Sequence, residues 1–186
     1  KSGDVFTFVQ EIEHTDFVGA VEALASRAGI QLTYTSGAQS KERARRKRLI
    51  EAMETAVEWY HARLLNDPDA RAARDYLRSR GLAGDAARQF KLGWAPDDWD
   101  ALSRGAGIDA RLLIDNGLAF TNRRNRLQDA FRGRVLFPIF TENGEPVAIG
   151  GRILPGSTDP AKYKNSSETP IYTKSKTLYG LNWSKA

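Results

Sequence analysis

Residues 132–152 read RGRVLFPIFTENGEPVAIGGR. The two apolar runs VLFPI and PVAI are too short and too rich in β-forming residues to be helices. Asn143-Gly144 lies between them, and Asn-Gly between apolar runs is the strongest local signal for a β-hairpin, because both turn residues accept positive φ. Arg134 is near the start of the first strand and Arg152 is near the end of the second. In an antiparallel hairpin these two strand ends lie next to each other. We therefore expect both guanidinium groups to serve one site.

A series of basic, aromatic and amide side chains follows the hairpin. Its members are Lys162, Tyr163, Lys164, Asn165, Lys174, Lys176 and Tyr179. From residue 122 to the end there are eleven Lys or Arg and five Asp or Glu, and residues 41–48 hold six cations and one acid. Because the remaining residues are acidic overall, the positive charge is segregated into two blocks, as binding to a phosphate backbone requires. The alternative is a solvated charged face, the usual environment of Lys and Arg.

The composition bounds the class of protein. The 186 residues suit one domain with a small appendage, 41% hydrophobic residues support a core, and the formal net charge is +5. No cysteine is available for disulfides or thiolate metal sites, which fits a cytoplasmic protein, and two histidines are too few for a histidine metal site. No apolar run approaches the length of a membrane span, and no signal peptide is expected at the start.

Helical patterns dominate the first half of the chain. Val5, Phe8, Val9 and Ile12 recur at helical spacing, and Thr15 or Asp16 can cap a second short helix. Residues 36–40, SGAQS, have the composition of a flexible linker, and we place the domain boundary there. The basic run KERARRKR is then expected to open a helix, where its cations oppose the macrodipole, which favours contact with nucleic acid or a partner over a merely solvated helix start.

The order of elements predicts the fold class. Helices come first and a mainly antiparallel, β-rich part follows, so we predict an α+β fold rather than alternating βαβ units. Pro138 inside an apparent strand indicates an edge or a bulge. Trp94 and Trp99 are predicted to be packing residues rather than stacking platforms. Because the β-rich part has no cluster of carboxylates and no nucleophile with a base partner, a self-contained active site is not expected.

The motifs RGRVLFPI, AIGGRI, KYKNSSETPIY and KSKTLYGL together resemble those of bacterial DNA primases, and the resemblance covers essentially the whole chain. It implies that residues 1–35 are the last helices of a zinc-binding domain whose ligands are absent here. Residues 36–48 would be a basic linker and helix start. Residues 49–186 would be the N-terminal subdomain of the RNA-polymerase domain, without the acidic catalytic fold.

The resemblance also implies a function and a site. The intact enzyme would synthesise RNA primers with Mg²⁺ or Mn²⁺ and a structural Zn²⁺, none of them bound by this segment, which alone would be inactive. Its partners would be single-stranded DNA template, RNA–DNA hybrid, ribonucleoside triphosphates and, through a region outside this chain, the replicative helicase. By matching position, the residues expected to bind nucleic acid are Arg80, Arg132, Arg134, Arg152, Lys162, Tyr163, Asn165 and Lys174.

Several alternatives stay open at this point. Arg80 is also explained as a cation that stabilises a helix C-terminus. Tyr163 can instead point into the core, and Asn165 can instead cap a turn with the two serines that follow it. The cations can meet either template or nucleotide. For the chain as a whole, the alternatives are a non-catalytic module for single-stranded nucleic acid and a protein-interaction domain whose basic arm meets an acidic partner.

Overall fold

The structure is a computed structural model that describes residues 4–32, 37–82 and 84–184. It divides into two compact units, Lys1–Ala44 and Arg45–Ala186. This division lies four residues after the segment 36–40 in which the sequence analysis places the domain boundary.

The first unit contains two short helices, α1 (Val5–Glu13) and α2 (Phe17–Arg27). The side chains of Asp4 and Asp16 cap them by accepting hydrogen bonds from the backbone N–H groups of Thr7 and Gly19. Asp16 is thus the cap of α2, as one of the two sequence alternatives has it. Of the apolar stripe predicted on α1, only Val9 is buried, and the other three side chains are more than half exposed.

The third helix, α3, is 30 residues long and runs over Gly37–Asn66. The prediction of a flexible linker at residues 37–40 is therefore wrong, and Ser36 lies outside the described residues. The physical reason is that helix extension adds one hydrogen bond for each residue fixed, and residues such as Ala and Gln extend a helix readily. Composition alone underestimated this continuation.

The basic run therefore begins inside α3 instead of opening it. Arg45 pairs with Asp115 at 3.3 Å, and Arg46 pairs with Glu145 at 2.8 Å. The conflict with the macrodipole largely disappears, because that effect is confined to the first turn. Contact of this run with nucleic acid stays a prediction, and part of its charge is balanced by acids of the chain itself.

The second unit follows α3 with short helices and strands. The helical elements are the 3-10 turn Pro68–Ala70, α4 (Arg71–Ser79), α5 (Gly84–Gln89), α6 (Ala101–Gly105), α7 (Ala110–Asp115), the 3-10 turn Lys174–Lys176 and α8 (Leu181–Ser184). The strands are β1 (Gly93–Ala95), β2 (Ala119–Thr121), β3 (Leu127–Asp129), β4 (Arg134–Phe140), β5 (Pro146–Ile153) and β6 (Tyr163–Asn165).

The strands form two antiparallel sheets. One has four strands in the order β1-β4-β5-β6, and the other is the pair β2-β3. Helices followed by antiparallel strands confirm the predicted α+β class. The predicted hairpin is β4–β5, but among its two central turn residues only Gly144 has a positive φ, of 82°. The turn is therefore not the tight type that Asn-Gly suggested, and hydrogen bonds between Thr141 and Glu145 close it instead.

Pro138 lies in β4, which is a central strand of the four-stranded sheet. Pairing of β4 with β1 ends at Leu136, two residues earlier, whereas pairing with β5 continues through Pro138 and Ile149. At Pro138 the strand is thus locally an edge on one side, where a missing N–H removes no ladder hydrogen bond. This is the local edge environment that the sequence predicted, within a strand that is central elsewhere.

Helices cover both faces of the four-stranded sheet. Val135 packs with Leu64 of α3, Leu77 of α4 and Trp94 on one face. Leu136 packs with a larger core on the other, which includes Met53, Val57 and Tyr60 of α3, Leu102 of α6, Leu113 of α7, Phe131 and Ile149. We call the side of the sheet that carries Val135 the Val135 face, and the opposite side, which carries Leu136, the Leu136 face. The predicted apolar stripe of α3 is buried along Leu49, Ile50, Met53, Val57, Tyr60 and Leu64. Within the described part of the chain, no helix is long and apolar enough to cross a membrane.

Candidate nucleic-acid interface

Arg134 and Arg152 lie at the same end of the β4–β5 hairpin but on opposite faces of it. Arg134 is paired with Ile153, and Arg152 is paired with Val135. Directly paired residues share a face and successive residues alternate, so the side chain of Arg152 lies on the Val135 face and that of Arg134 on the Leu136 face. The prediction that both guanidinium groups serve one site is therefore wrong. The two residues are offset by one position in the register, which sequence inspection did not resolve.

On the Val135 face, aromatic rings link the cations of two elements. The Arg152 guanidinium carbon lies 5.1 Å from the ring centroid of Tyr76 and 5.3 Å from that of Tyr163. Arg80, at the end of α4, lies 5.7 Å from the same Tyr76 ring, and Lys162 Nζ lies 5.8 Å from Tyr163. All four separations are within cation–π range. We call these five residues the Arg152 cluster.

Acidic side chains of the described residues do not balance the charge of the Arg152 cluster. Among the described residues, no acidic side chain forms an ion pair with Arg80, Arg152 or Lys162. Arg152 Nε and the hydroxyl of Tyr76 are both buried without a hydrogen-bond partner. Three cations that have no ion-pair partner within residues 4–32, 37–82 and 84–184 leave a positive surface that an anion can neutralise.

Tyr163 and Asn165 lie on the same face as Arg152, because both belong to β6 and are two residues apart. The Tyr163 side chain is 64% exposed, which argues against the core position left open by the sequence. Asn165 is paired with Gly150. A Cβ atom at Gly150 would lie 3.1 Å from Asn165 Oδ1, so the glycine leaves room for the amide. Among the described residues, no hydrogen bond joins the Asn165 side chain to the following serines, and Ser166 Oγ bonds to the backbone of Ile149.

Arg134 is buried on the Leu136 face. Its side chain is 2% exposed, and Nη2 donates to Asp159 Oδ2 at 2.8 Å. Its Nη1 is buried without a partner. A Cβ atom at Gly151 would lie 3.2 Å from Arg134 Cδ and 3.0 Å from Phe131, so this second glycine makes room for the arginine stem. The two glycines of the Gly-Gly-Arg motif thus each make space on a different face of the sheet.

Lys164 alternates with Tyr163 in β6 and therefore lies on the Leu136 face with Arg134. Burial, together with the neighbouring Arg134 charge, lowers the pKa of Lys164 below its ordinary value. The pKa of Asp159 is lowered first by the hydrogen bond from the Ala161 backbone N–H and further by Arg134. One carboxylate thus faces two cations.

Arg132 forms a third, separate group. Its Nε forms an ion pair with Asp97 Oδ1 at 2.9 Å, and its guanidinium carbon lies only 3.5 Å from the ring centroid of Trp99. Trp99 is 59% exposed, so its prediction as a packing residue is wrong, whereas Trp94 is buried as predicted. The sequence places Arg132 two residues before Arg134, but the structure pairs its charge with a different acid.

Lys174 lies in the 3-10 turn Lys174–Lys176, outside the sheet. Its backbone N–H donates to Glu168 Oε1 at 2.9 Å, and its side chain is exposed. Four of the eight predicted site residues thus lie on the Val135 face, namely Arg80, Arg152, Tyr163 and Asn165, and Lys162 Nζ lies 5.8 Å from the Tyr163 ring. Arg132, Arg134 and Lys174 lie elsewhere, so the eight residues expected to bind nucleic acid do not form one continuous surface.

Sequence reasoning missed Tyr76 and Lys164 as members of these groups. Tyr76 is four residues before Arg80 on the same helix, a spacing that places two side chains on one face and could have identified it. Lys164 belongs to the basic series in the sequence, but the sequence does not show on which face of the sheet its side chain lies, because that depends on the register of β6. Within residues 4–32, 37–82 and 84–184, no three His, Asp or Glu side chains converge as a metal site requires.

Comparison with known proteins places this arrangement in a family. The pattern of the DNA primase catalytic core, N-terminal domain, matches residues 59–185. The DNA primase of Streptomyces coelicolor is 40% identical over an alignment of 190 positions that covers 100% of this chain and 30% of that protein. This chain therefore spans less than a third of the length of that relative.

Solved structures give the same result. The structure of a DnaG primase catalytic domain bound to single-stranded DNA matches with a TM-score of 0.69 and 38% identity over 78% of this chain and 46% of that one. The Aquifex aeolicus primase, solved with its zinc-binding and RNA-polymerase domains, matches with a TM-score of 0.65 and 27% identity over 97% of this chain and 42% of that one. The family match, the sequence identity and the shared fold agree. This chain belongs to the family of the DNA primase catalytic core, N-terminal domain.

Proposed function

We propose that this chain is part of a DNA-dependent RNA polymerase that synthesises RNA primers, and that the Arg152 cluster binds its single-stranded DNA template and the RNA–DNA hybrid. The observation that carries the proposal is that Arg80, Arg152 and Lys162 converge on Tyr76 and Tyr163 without an acidic ion-pair partner among the described residues. The single-stranded DNA in the related catalytic domain supports the same class of ligand.

The chemistry of the cluster suits a single strand. Arginine forks bind phosphate oxygens in a bidentate manner, and lysine adds a point charge that releases counterions. The exposed ring of Tyr163 offers a surface on which a base or sugar can stack, and base stacking on aromatic rings tolerates any sequence. Asn165, beside it on β6, can donate its amide to a backbone oxygen.

The rest of the enzyme would lie outside this chain. We propose that residues 1–35 are the last helices of a zinc-binding domain, that 36–48 connect it to the rest, and that 49–186 form the N-terminal subdomain of the RNA-polymerase domain. The carboxylates that hold Mg²⁺ or Mn²⁺, the structural Zn²⁺ and the helicase-binding region would belong to other parts of the intact protein. This chain alone would then bind template but would not join ribonucleotides.

A salt titration tests the binding role. The affinity of the 186-residue chain for a fluorescently labelled single-stranded oligonucleotide should fall linearly with salt on a log–log plot, with a slope of about −0.7 for each phosphate neutralised. Arg152→Ala should weaken binding roughly tenfold or more and make the slope shallower, because one charge-assisted contact is removed.

Arg71→Ala is the matched control, because Arg71 is on α4 with an 85% exposed side chain and is not in the cluster. It should change the affinity by less than about twofold, as loss of a screened surface charge does. A flat salt response, or equal losses in the two variants, would remove the support for a nucleic-acid site at Arg152. A flat response would favour the acidic protein partner instead.

A further inference from the structure

The Arg134 guanidinium already forms an ion pair with one of the chain's own carboxylates, that of Asp159. The Arg134 side chain is 2% exposed, one terminal nitrogen donates to Asp159 Oδ2, and the other is buried with no hydrogen-bond partner in the part of the chain that the structure describes. A buried arginine normally has its donors satisfied, because an unpaired charged donor in a low-dielectric site is costly. The single carboxylate therefore only partly satisfies this group.

Asp159 lies on the exposed segment between β5 and β6, in a part of the chain with no regular secondary structure. Its side chain is 44% exposed. Its other oxygen, Oδ1, accepts from the backbone N–H of Ala161 at 2.8 Å, which orients the carboxylate toward the guanidinium. The acid is thus held by a short surface turn and not by the core, so it can leave Arg134 without disturbing the sheet.

Lys164 adds a second positive charge next to the same carboxylate. It shares the Leu136 face with Arg134 and lies 6.0 Å above the ring of Phe131. The two positive charges of Arg134 and Lys164 therefore exceed the single negative charge of Asp159, and Arg134 Nη1 keeps a hydrogen-bond donor without an acceptor among the described residues. A phosphate carries more negative charge and more acceptor oxygens than a carboxylate, so it fits this group better than Asp159 does.

We propose that Arg134 and Lys164 form a second phosphate-binding site, distinct from the Arg152 cluster, and that Asp159 occupies it as a built-in competitor. A phosphate binds by taking the place of the Asp159 carboxylate and by reaching the free Nη1 of Arg134. The hairpin then presents one phosphate site on each face. The proposal rests on the proposed function, because that function supplies both sources of phosphate, the nucleic-acid backbone and the nucleoside triphosphate.

The test is Asp159→Asn in the 186-residue chain. Asparagine keeps an oxygen for the Ala161 N–H but removes the negative charge that faces Arg134. Binding is measured with a labelled single-stranded oligonucleotide and, separately, with ATP. We expect roughly two- to fivefold tighter binding of at least one ligand, which corresponds to the upper part of the range for a partly exposed ion pair. For the oligonucleotide, the salt slope should steepen by about 0.7. A gain with only one ligand identifies the source of the phosphate.

Two further variants make the result decisive. Asp85→Asn makes the same change in net charge at a 98% exposed side chain that is paired with Arg88, and it should alter affinity by less than about twofold. Adding Arg134→Gln to Asp159→Asn should abolish the gain. The proposal is overturned if folded Asp159→Asn, checked by circular dichroism, binds both ligands as the wild type does, or if Asp85→Asn gives an equal gain. Failure of the proposed function gives a different result, since the wild-type chain itself would then lack salt-dependent binding.

Discussion

The amide of Asn165 lies in the space that a side chain at Gly150 would occupy, with Oδ1 3.1 Å from that position. Gly150→Ala should therefore displace Asn165 without touching the core. If Asn165 contacts template, the affinity for single-stranded DNA should fall roughly two- to tenfold, the net effect of about one hydrogen bond. Fluorescence anisotropy with a labelled oligonucleotide measures this change.

A double-mutant cycle separates this mechanism from a general distortion of the strand. In an Asn165→Ala background, Gly150→Ala should have little further effect, because the side chain it displaces is already gone. Additive losses would show that Gly150 acts in another way.

Gly151→Ala is the contrasting variant. Its Cβ would lie 3.0 Å from Phe131, so it should lower the free energy of unfolding by about 1–3 kcal/mol through overpacking.

Tyr76 should act through its ring and not through its hydroxyl. The hydroxyl is buried without a hydrogen-bond partner, whereas the ring contacts both Arg80 and Arg152. Tyr76→Phe should therefore keep affinity for single-stranded DNA within about twofold and raise the free energy of unfolding by about 1 kcal/mol, since it removes an unsatisfied polar group. Tyr76→Leu should weaken DNA binding, because it removes the cation–π surface. Equal affinities of the Leu and Phe variants would contradict the role given to the ring.

The sequence was sufficient for the class of fold and for the hairpin. Alternating and apolar runs around a turn residue predict β4 and β5, and the i, i+3, i+4 pattern predicts the buried stripe of α3, because both signals depend on local periodicity. Residues 37–40 were mispredicted for the opposite reason. Their composition suggests a linker, but the conformation is decided by the long helix that they extend.

The grouping of the site residues was beyond local reasoning. The hairpin predicts that Arg134 and Arg152 act together, and the family resemblance adds Arg132, yet the structure gives each a different environment. The face of Arg152 is set by a one-residue offset in strand pairing, and the burial of Arg134 by an acid 25 residues away. Such relations depend on register and loop closure, which no pattern within a short window contains.

Acid should remove the contribution of the Asp159–Arg134 pair to stability. The pKa of Asp159 in the folded chain is below 3.8, its ordinary value, because the Ala161 N–H and then Arg134 stabilise the charged form. A lowered pKa means that the folded state binds fewer protons, so the stabilisation is present above pH 3.8 and is lost as the pH falls through the folded pKa. The unfolding free energies of wild type and Asp159→Asn should therefore differ at pH 6 and converge at acid pH. A gap that stays constant down to acid pH would show that the charge of Asp159 contributes nothing.

Arg132 and Arg152 should differ in their importance for DNA binding, although both were predicted from the sequence. The charge of Arg132 is already balanced by Asp97 at 2.9 Å, whereas no acidic side chain of the described residues pairs with Arg152. Arg132→Ala should therefore weaken binding of single-stranded DNA by about twofold or less, against roughly tenfold or more for Arg152→Ala. Asp97→Asn removes the negative charge that pairs with Arg132, so the Arg132 guanidinium should then be able to bind a phosphate. In that background the loss caused by Arg132→Ala should grow several-fold. Equal losses from the two arginines in the wild-type background would show that the resident acid does not control which of them binds DNA.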